Sequence, residues 1–182
     1  MTQQLAEFQG YRAGTWNIDP VHSDVSFTVR HLGVSKVRGT FGAFEGVIVT
    51  AEDPLKCSVT ATIRTASIDT RNNDRDEHVR GDDFLSVTDH PTMTFVSTGV
   101  RPDGDGGALL DGELTLRGVT RPVTLELEVG GFGESYDGTR VVGFSARTEI
   151  NRRDFGVTGG AAGGAVGNKI TIALEVEAAL EA

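Results

Sequence analysis

The sequence predicts an all-β protein built from antiparallel strands around one apolar core. Three observations predict this class. Apolar and polar residues alternate with a period of two from residue 23 onward, and turn signals separate the alternating runs. The composition also favours strands, because the chain has 20 Val and 20 Thr among 182 residues, and both are β-branched.

The strands follow from the alternation in chain order. In the first run Val25, Phe27, Val29 and His31 share one face of the strand. Each such run buries one face and exposes the other, which is typical of antiparallel sheet. Alternating runs occupy residues 23–31, 57–64, 110–117, 123–129 and 169–176, and further strands are predicted at 39–50, 92–100 and 140–150.

Eight or nine strands with short connections close most simply into a barrel, since closure removes exposed sheet edges. A β-sandwich is the competing architecture, and the periodicity does not separate the two. One segment, residues 69–88, is highly charged and breaks the alternation. Its spacing predicts a short helix from about Asp74 to Gly81, while the six-glycine stretch 156–167 predicts a long mobile loop.

The length and order of the elements predict one domain. We assign residues 1–14 to an N-terminal tail and residues 15–182 to a single β-barrel domain. The tail lacks the basic segment and apolar run of a secretory signal, and no apolar stretch approaches 18 residues. We therefore expect a soluble, cytoplasmic protein with no stable membrane insertion.

The net charge of −9 restricts the partners. Nucleic acids and anionic membranes attract a positive field, so an acidic surface argues against broad binding to either. A ligand sheltered in the core is not affected by this argument. Cys57 is the one cysteine and excludes an internal disulfide.

Patterns typical of catalysis are weak. The four histidines form no close metal-binding pair, and no Gly-x-Ser-x-Gly turn is present. We therefore predict no metal, no cofactor and no catalytic residue. The alternative is an isomerase or hydrolase acting on an apolar substrate through a charged cluster of Asp76, His78 and Arg153 at the barrel mouth. The other interpretation of the charged segment is structural, with Arg75, Asp76 and His78 fixing a lid by hydrogen bonds.

Several segments together resemble the YceI-like family of lipocalin-like polyisoprenoid-binding proteins. The resemblance spans residues 16–176, in order and with ordinary spacing. It rests on the following motifs: Trp16-x-Ile18-Asp19-x2-His22-Ser23-x-Val25-x-Phe27-x-Val29-x-His31, Val37-x-Gly39-x-Phe41, Ser67-Ile68-x-Thr70, Arg75-Asp76-x-His78, Asp83-Phe84, Pro91-x-Met93-x-Phe95, Gly112-x-Leu114-x-Leu116-x-Gly118-Val119-Thr120-x-Pro122-Val123 and Arg153-x-Phe155-Gly156.

The resemblance implies an eight-stranded antiparallel lipocalin-like barrel, with a short helix near one side and a long apolar cavity. It also implies that the chain binds a long-chain isoprenoid or other amphiphilic lipid and carries or sequesters it without catalysis. A fold of this kind is also compatible with a homodimer. Many members of the family carry an export signal and act in the periplasm, and this sequence shows no such signal.

The candidate ligand-binding residues combine the strand faces with the aromatic positions. We expect Arg153 to bind the head group, because it precedes a glycine-rich segment where backbone can approach closely. The apolar wall is expected from Phe27, Val29, His31, Phe41, Phe44, Phe84, Phe95 and Phe155.

Overall fold

The computed structural model describes residues 7–105 and 107–182. The described chain forms eleven strands and one α-helix: β1 (Gly14–Ile18), β2 (Asp24–His31), β3 (Ser35–Phe41), β4 (Phe44–Thr50), β5 (Ser58–Arg64), β6 (Ile68–Asp69), α1 (Asn73–Arg80), β7 (Thr92–Pro102), β8 (Ala108–Leu116), β9 (Val119–Glu134), β10 (Arg140–Asn151) and β11 (Val166–Leu180). Short 3₁₀ turns occupy Pro54–Lys56, Thr65–Ser67, Arg152–Phe155 and Gly160–Ala165.

The sheet closes on itself through β11. This strand pairs with β10 along one edge, while its other edge pairs with β2 over residues 166–175 and with β1 over residues 178–180. Three pairs of consecutive strands, β1/β2, β3/β4 and β5/β6, each act as one interrupted strand around the ring. The result is a closed eight-stranded antiparallel barrel, which confirms the predicted fold and excludes the sandwich.

The two ends of the barrel differ in what covers them. We define the helix end as the end where β2 and β10 finish and β3 and β11 begin; α1 and the turn Gly160–Ala165 lie there. The opposite end, defined here as the closed end, holds β1 and the β9–β10 turn. Tyr11 anchors the chain before β1 at the closed end, since its hydroxyl donates to the carbonyl oxygen of Ala51 at 2.5 Å and its ring contacts Phe132.

The structure extends or divides the predicted strands. The expected strand 39–50 is two strands, because the chain bends at Gly42 and Ala43 between β3 and β4. The short strands β1 and β6 were not predicted, and β9 begins four residues earlier than expected. The predicted helix is confirmed as α1, and its Asn72 cap accepts a hydrogen bond from the Arg75 amide at 2.9 Å.

The glycine-rich stretch is hydrogen-bonded structure and not an irregular loop. Part of it forms the 3₁₀ turn Gly160–Ala165, and the Arg152 guanidinium lies beneath it. A Cβ on Gly163 would overlap the carbonyl oxygen of Thr158 at 2.1 Å, so the close approach at this position requires glycine.

Candidate functional site

An apolar cavity of about 330 Å³ lies inside the helix end of the barrel. Residues from β2, β3 and β11 form one wall, and α1 with the turn Gly160–Ala165 covers the end. Direct strand pairing brings this wall together, because Val29 lies opposite both Val37 and Ile170, and Phe27 lies opposite Ile172. The cavity is therefore a product of the predicted inward strand faces.

A glycine determines where one of the wall's rings lies. Gly39 is paired directly with Phe27, and a Cβ on Gly39 would lie 2.3 Å from the ring Cζ of Phe27. The Phe27 ring therefore lies directly against the β3 backbone, in the space that a side chain at position 39 would fill. The ring leaves the lumen open and still presents an apolar surface to it.

The ionisable groups that line the cavity are all basic. Arg30 and His31 come from β2 and Arg75 and His78 from α1, and all four are exposed, which places the cavity mouth among them. Arg152 is the fifth and is buried. Among the described lining residues there is no Asp or Glu, although the chain carries 26 of them. The mouth is thus a local positive site on an acidic protein.

Arg152 is a buried cation held by backbone oxygens. Its side chain is 2% exposed, and it donates hydrogen bonds of 2.8–2.9 Å to the carbonyl oxygens of Val157, Gly163, Val166 and Gly167. Among the described residues no carboxylate lies within 4 Å of it. Burial lowers the pKa of Arg152, and the neighbouring charge of Arg153 lowers it further.

The lid helix is fixed by one polar network. The buried Asp76 carboxylate accepts from the amide of Thr70 at 2.9 Å and from its hydroxyl at 2.5 Å. Arg75 donates to the same hydroxyl at 2.8 Å through Nε and to the Thr70 carbonyl at 2.6 Å through Nη2. These bonds tie α1 to the end of β6, as the structural interpretation of the charged segment predicts.

The groups of the predicted catalytic cluster each have another partner. His78 Nε2 lies 2.9 Å from Asp83 Oδ2, Asp76 is bound to Thr70, and Arg153 donates to Asn168 Oδ1 at 2.9 Å. No hydrogen bond in the described part of the chain joins any two of His78, Asp76 and Arg153. The structure therefore does not bring Asp76, His78 and Arg153 together as one cluster.

One further cluster has the composition of a metal site. Within residues 7–105 and 107–182, Asp19, His22 and Glu177 are the one group whose potential ligand atoms all lie within 4.8 Å of one another. His22 Nδ1 lies 2.7 Å from Asp19 Oδ2 and 3.9 Å from Glu177 Oε1. The hydrogen bond between the first two raises the pKa of His22 and lowers that of Asp19. An exposed ion pair accounts for this arrangement.

A second and larger depression lies toward the closed end. Its volume is about 1050 Å³, and Phe8 and Leu55 contribute to it. Ionised side chains of both signs border it, among them Arg101, Glu126 and Arg147. An apolar tail that enters it would desolvate these charges, so the cavity at the helix end is the better candidate for an apolar ligand.

The structure places five of the nine predicted site residues at this cavity: Phe27, Val29, His31, Phe41 and Phe84. Phe44 and Phe155 pack in the surrounding core and do not line the cavity. Phe95 lies in a separate cluster with Leu110, Leu125 and Ala146, farther along the barrel.

Arg153, the predicted head-group residue, lies outside the cavity. Its side chain is exposed and bound to Asn168, whereas its neighbour Arg152 lines the cavity. Arg75, Arg30 and the aliphatic residues of β11 also line the cavity and were not predicted as site residues. The same alternation that identified the β2 face also marks Ile170 and Ile172, and this signal could have found them.

The chain matches the model of the YceI-like domain over residues 16–178. It is 43% identical over 137 residues to Protein YceI of Shigella flexneri, covering 75% of this chain and 71% of that protein. It is 41% identical over 138 residues to a UPF0312 protein of Ectopseudomonas mendocina, covering 75% of this chain and 72% of that one. In the described chain no helix is long and apolar enough to cross a membrane.

Solved structures show the same fold. BcnA of Burkholderia cenocepacia superposes with a TM-score of 0.78 at 24% identity, over 88% of this chain and 98% of that one. The YceI protein of Campylobacter jejuni superposes with a TM-score of 0.73 at 31% identity, over 84% of this chain and 90% of that one. A polyisoprenoid-binding domain from Saccharophagus degradans superposes with a TM-score of 0.72 at 15% identity, over 93% of this chain and 100% of that one. These matches confirm the resemblance found in the sequence, and the chain belongs to the YceI-like family.

Proposed function

We propose that the chain binds the apolar tail of a long-chain isoprenoid or similar amphiphilic lipid in the cavity at the helix end, and that it carries or sequesters this lipid without catalysis. The observation that supports this most directly is an apolar cavity inside the barrel whose ionisable lining residues are all basic. The polyisoprenoid-binding domain with the same fold supports the choice of ligand class. The cytoplasmic location and the homodimer stay predictions from the sequence.

The tail supplies the binding energy. Each methylene transferred from water to an apolar wall contributes about 0.8 kcal/mol, so a prenyl or acyl chain binds without specific polar contacts. A volume of about 330 Å³ is near the lower limit for small-molecule pockets. A short tail fits the cavity in its present shape, and a longer tail must move lining side chains apart or extend through the mouth.

The mouth favours an anionic head group. Guanidinium groups bind phosphate and carboxylate through charge-assisted hydrogen bonds. Arg75 is the best placed, because it lines the mouth and its Nε and Nη2 are fixed on Thr70. Its Nη1 has no hydrogen-bond partner among the described residues, so it can donate to a ligand. In this proposal Arg75 takes the role that the sequence analysis gave to Arg153.

The direct test is organic extraction of the protein purified from its native host, followed by mass spectrometry. We expect a co-purifying lipid with a long apolar chain. Titration with farnesyl phosphate and with farnesol then separates the contribution of the apolar tail to the affinity from that of the head group. Absence of any extracted lipid, together with no binding of either compound, would contradict the proposed function.

Variants assign the head-group role. Arg75→Gln should weaken the binding of farnesyl phosphate about tenfold, since a hydrogen bond to a charged group contributes about 1.5–3 kcal/mol. It should leave the binding of farnesol unchanged. Lys56→Gln removes an exposed charge at the closed end and should change neither affinity. Equal losses for both ligands in Arg75→Gln would show that Arg75 only holds α1 in place.

A further inference from the structure

The turn between β2 and β3 exposes two large apolar side chains beside the cavity mouth. Leu32 is 64% exposed and Val34 is 80% exposed, and Gly33 separates them. Leu32 has a positive φ of 54°, in the left-handed region where Gly or Asn is tolerated much better. A leucine here is unfavourable for the backbone and gains little from burial, so the fold gives no reason for it.

The strands that carry this turn are basic. Between Asp24 and Glu45 the sequence has Arg30, Lys36 and Arg38 and no acidic residue, in a chain of net charge −9. Lys36 and Arg38 lie on the outer face, and Arg30 pairs directly with Lys36 while it also borders the cavity mouth. Like charges directly opposite each other destabilise a sheet. This arrangement is again a cost to the fold.

Carboxylates of the protein do not neutralise these cations. In the described ranges no carboxylate oxygen lies within 4 Å of them. Three acidic groups of residues 69–88 are engaged elsewhere: Glu77 with Arg80, Asp83 with His78 and Asp76 with Thr70. The positive field of the two strands is therefore available to a partner.

The element next to the turn is uncharged. Residues 156–168 contain no ionisable side chain, and the amide of Leu32 donates to the carbonyl oxygen of Ala165 at 2.8 Å. Strand β2 borders the cavity through Arg30 and His31, directly before the turn. The uncharged segment borders it through Ala162 and Ala165. The turn, the uncharged segment and the mouth form one continuous surface.

We propose that the β2–β3 turn docks this surface on an anionic lipid bilayer, with Leu32 and Val34 in the interface, so that a lipid passes between the bilayer and the cavity without crossing water. Exposed apolar side chains next to basic residues are the pattern of peripheral membrane contact. Each Lys or Arg near an anionic surface contributes about 1 kcal/mol. The docking is independent of the proposed function, whereas the passage of lipid rests on it.

The net charge of the chain does not oppose this contact. At physiological ionic strength charges separated by more than about 8 Å are largely screened, so the local field of the turn determines the interaction. A second copy of this chain is a poorer partner, because two such turns facing each other would bring six cations together. The acidic average surface of the chain disfavours anionic membranes, whereas this part of the surface is basic.

Vesicle flotation tests the docking. We expect the full chain to float with vesicles of phosphatidylcholine mixed with phosphatidylglycerol and not with phosphatidylcholine alone. Lys36→Gln with Arg38→Gln should weaken binding about fivefold for each charge removed. Leu32→Asn with Val34→Ser should also weaken it, and should not lower the unfolding midpoint, because Asn adopts the left-handed conformation readily.

Controls separate this proposal from the proposed function. None of the four substituted residues lines the cavity, so farnesyl phosphate binding without vesicles should be unchanged in both variants. Val29→Phe, which fills the cavity, should abolish that binding and leave flotation intact. Lys56→Gln with Arg140→Gln removes two charges at the closed end and should not alter flotation.

Three results would overturn the docking: equal flotation on neutral and anionic vesicles, flotation unaffected by either turn variant, or a dimer that the Leu32 and Val34 substitutions convert to monomer. The last would identify a second copy as the occupant of this surface. If the wild-type protein floats with anionic vesicles but does not bind farnesyl phosphate, the proposed function is rejected and the docking stands.

Discussion

The two ends of the barrel belong to one closed sheet and are filled differently. At the closed end Trp16 is fully buried, its Nε1 donates to Thr50 Oγ1 at 2.8 Å, and its ring contacts Phe132 edge-on. At the helix end the inward positions of β2, β3 and β11 hold mainly aliphatic residues around an open volume. Alternation determines which side chains point inward, and their size determines whether the lumen is filled.

The largest expected effect is at the closed end. Trp16→Ala should lower the free energy of unfolding by about 3–5 kcal/mol, because it leaves a large void among well-packed side chains. Val29→Ala at the helix end should cost much less, about 1 kcal/mol, since Val29 already borders empty space. Urea unfolding measures both. Equal losses would mean that the two ends are packed alike.

The buried arginine should give the next largest effect. Arg152→Met removes donors from four carbonyl oxygens and should destabilise the protein by about 3 kcal/mol. Hydrogen exchange should accelerate at the amides of residues 157–167. The neighbouring substitution Arg153→Met is the matched control and should change stability by less than about 0.5 kcal/mol. A similar loss in the control would show that the four carbonyl contacts do not stabilise this segment.

Filling the cavity should have a smaller effect on stability, in the opposite direction. Val29→Phe adds apolar atoms where the lumen is empty, and we expect the free energy of unfolding to rise by up to about 1 kcal/mol. Ligand binding should be lost. Val96→Phe makes the same change at an exposed position of β7 and should preserve binding. Binding that survives in Val29→Phe would place the ligand elsewhere.

The smallest effect lies on the barrel wall between the ends, at His22. The hydrogen bond to Asp19 raises the pKa of His22, so protonation is favoured in the folded state. Its stabilisation is fully present below the ordinary histidine pKa and is lost as the pH rises through the folded-state value. His22→Gln should remove this pH dependence, and NMR titration of the ring protons measures the shift. An unshifted titration would contradict the ion pair.

Much of the fold could be predicted from the sequence because its signals are local. Leu110, Leu114 and Leu116 alternate in the sequence and are all buried in β8. The strand β1 was missed because five residues with two apolar positions, Trp16 and Ile18, give too short a pattern. The break at Gly42 and Ala43 was missed because closure of the ring, a non-local property, bends the chain there.

The site was less predictable because a period of two gives the face of a strand but not the height along the barrel. Phe95 points inward as expected, yet it packs below the cavity with Leu110 and Leu125. Outside the strands even the face is undetermined. Arg152 and Arg153 are adjacent in a 3₁₀ turn, and only the hydrogen bonds of the folded chain select Arg152 as the inward residue.

The pairing of β11 has a consequence for how the chain folds. This strand bonds to β10 on one edge and to both β1 and β2 on the other, and the Glu181 amide also donates to the Thr15 carbonyl oxygen. Every partner of β11 precedes it in the chain. The barrel therefore closes between β11 and the strands β1 and β2 only after almost the whole domain has been synthesised. Contacts of such long sequence separation slow folding. Until β11 pairs, the partly folded barrel has two open edges, and unpaired strand edges of this kind favour aggregation.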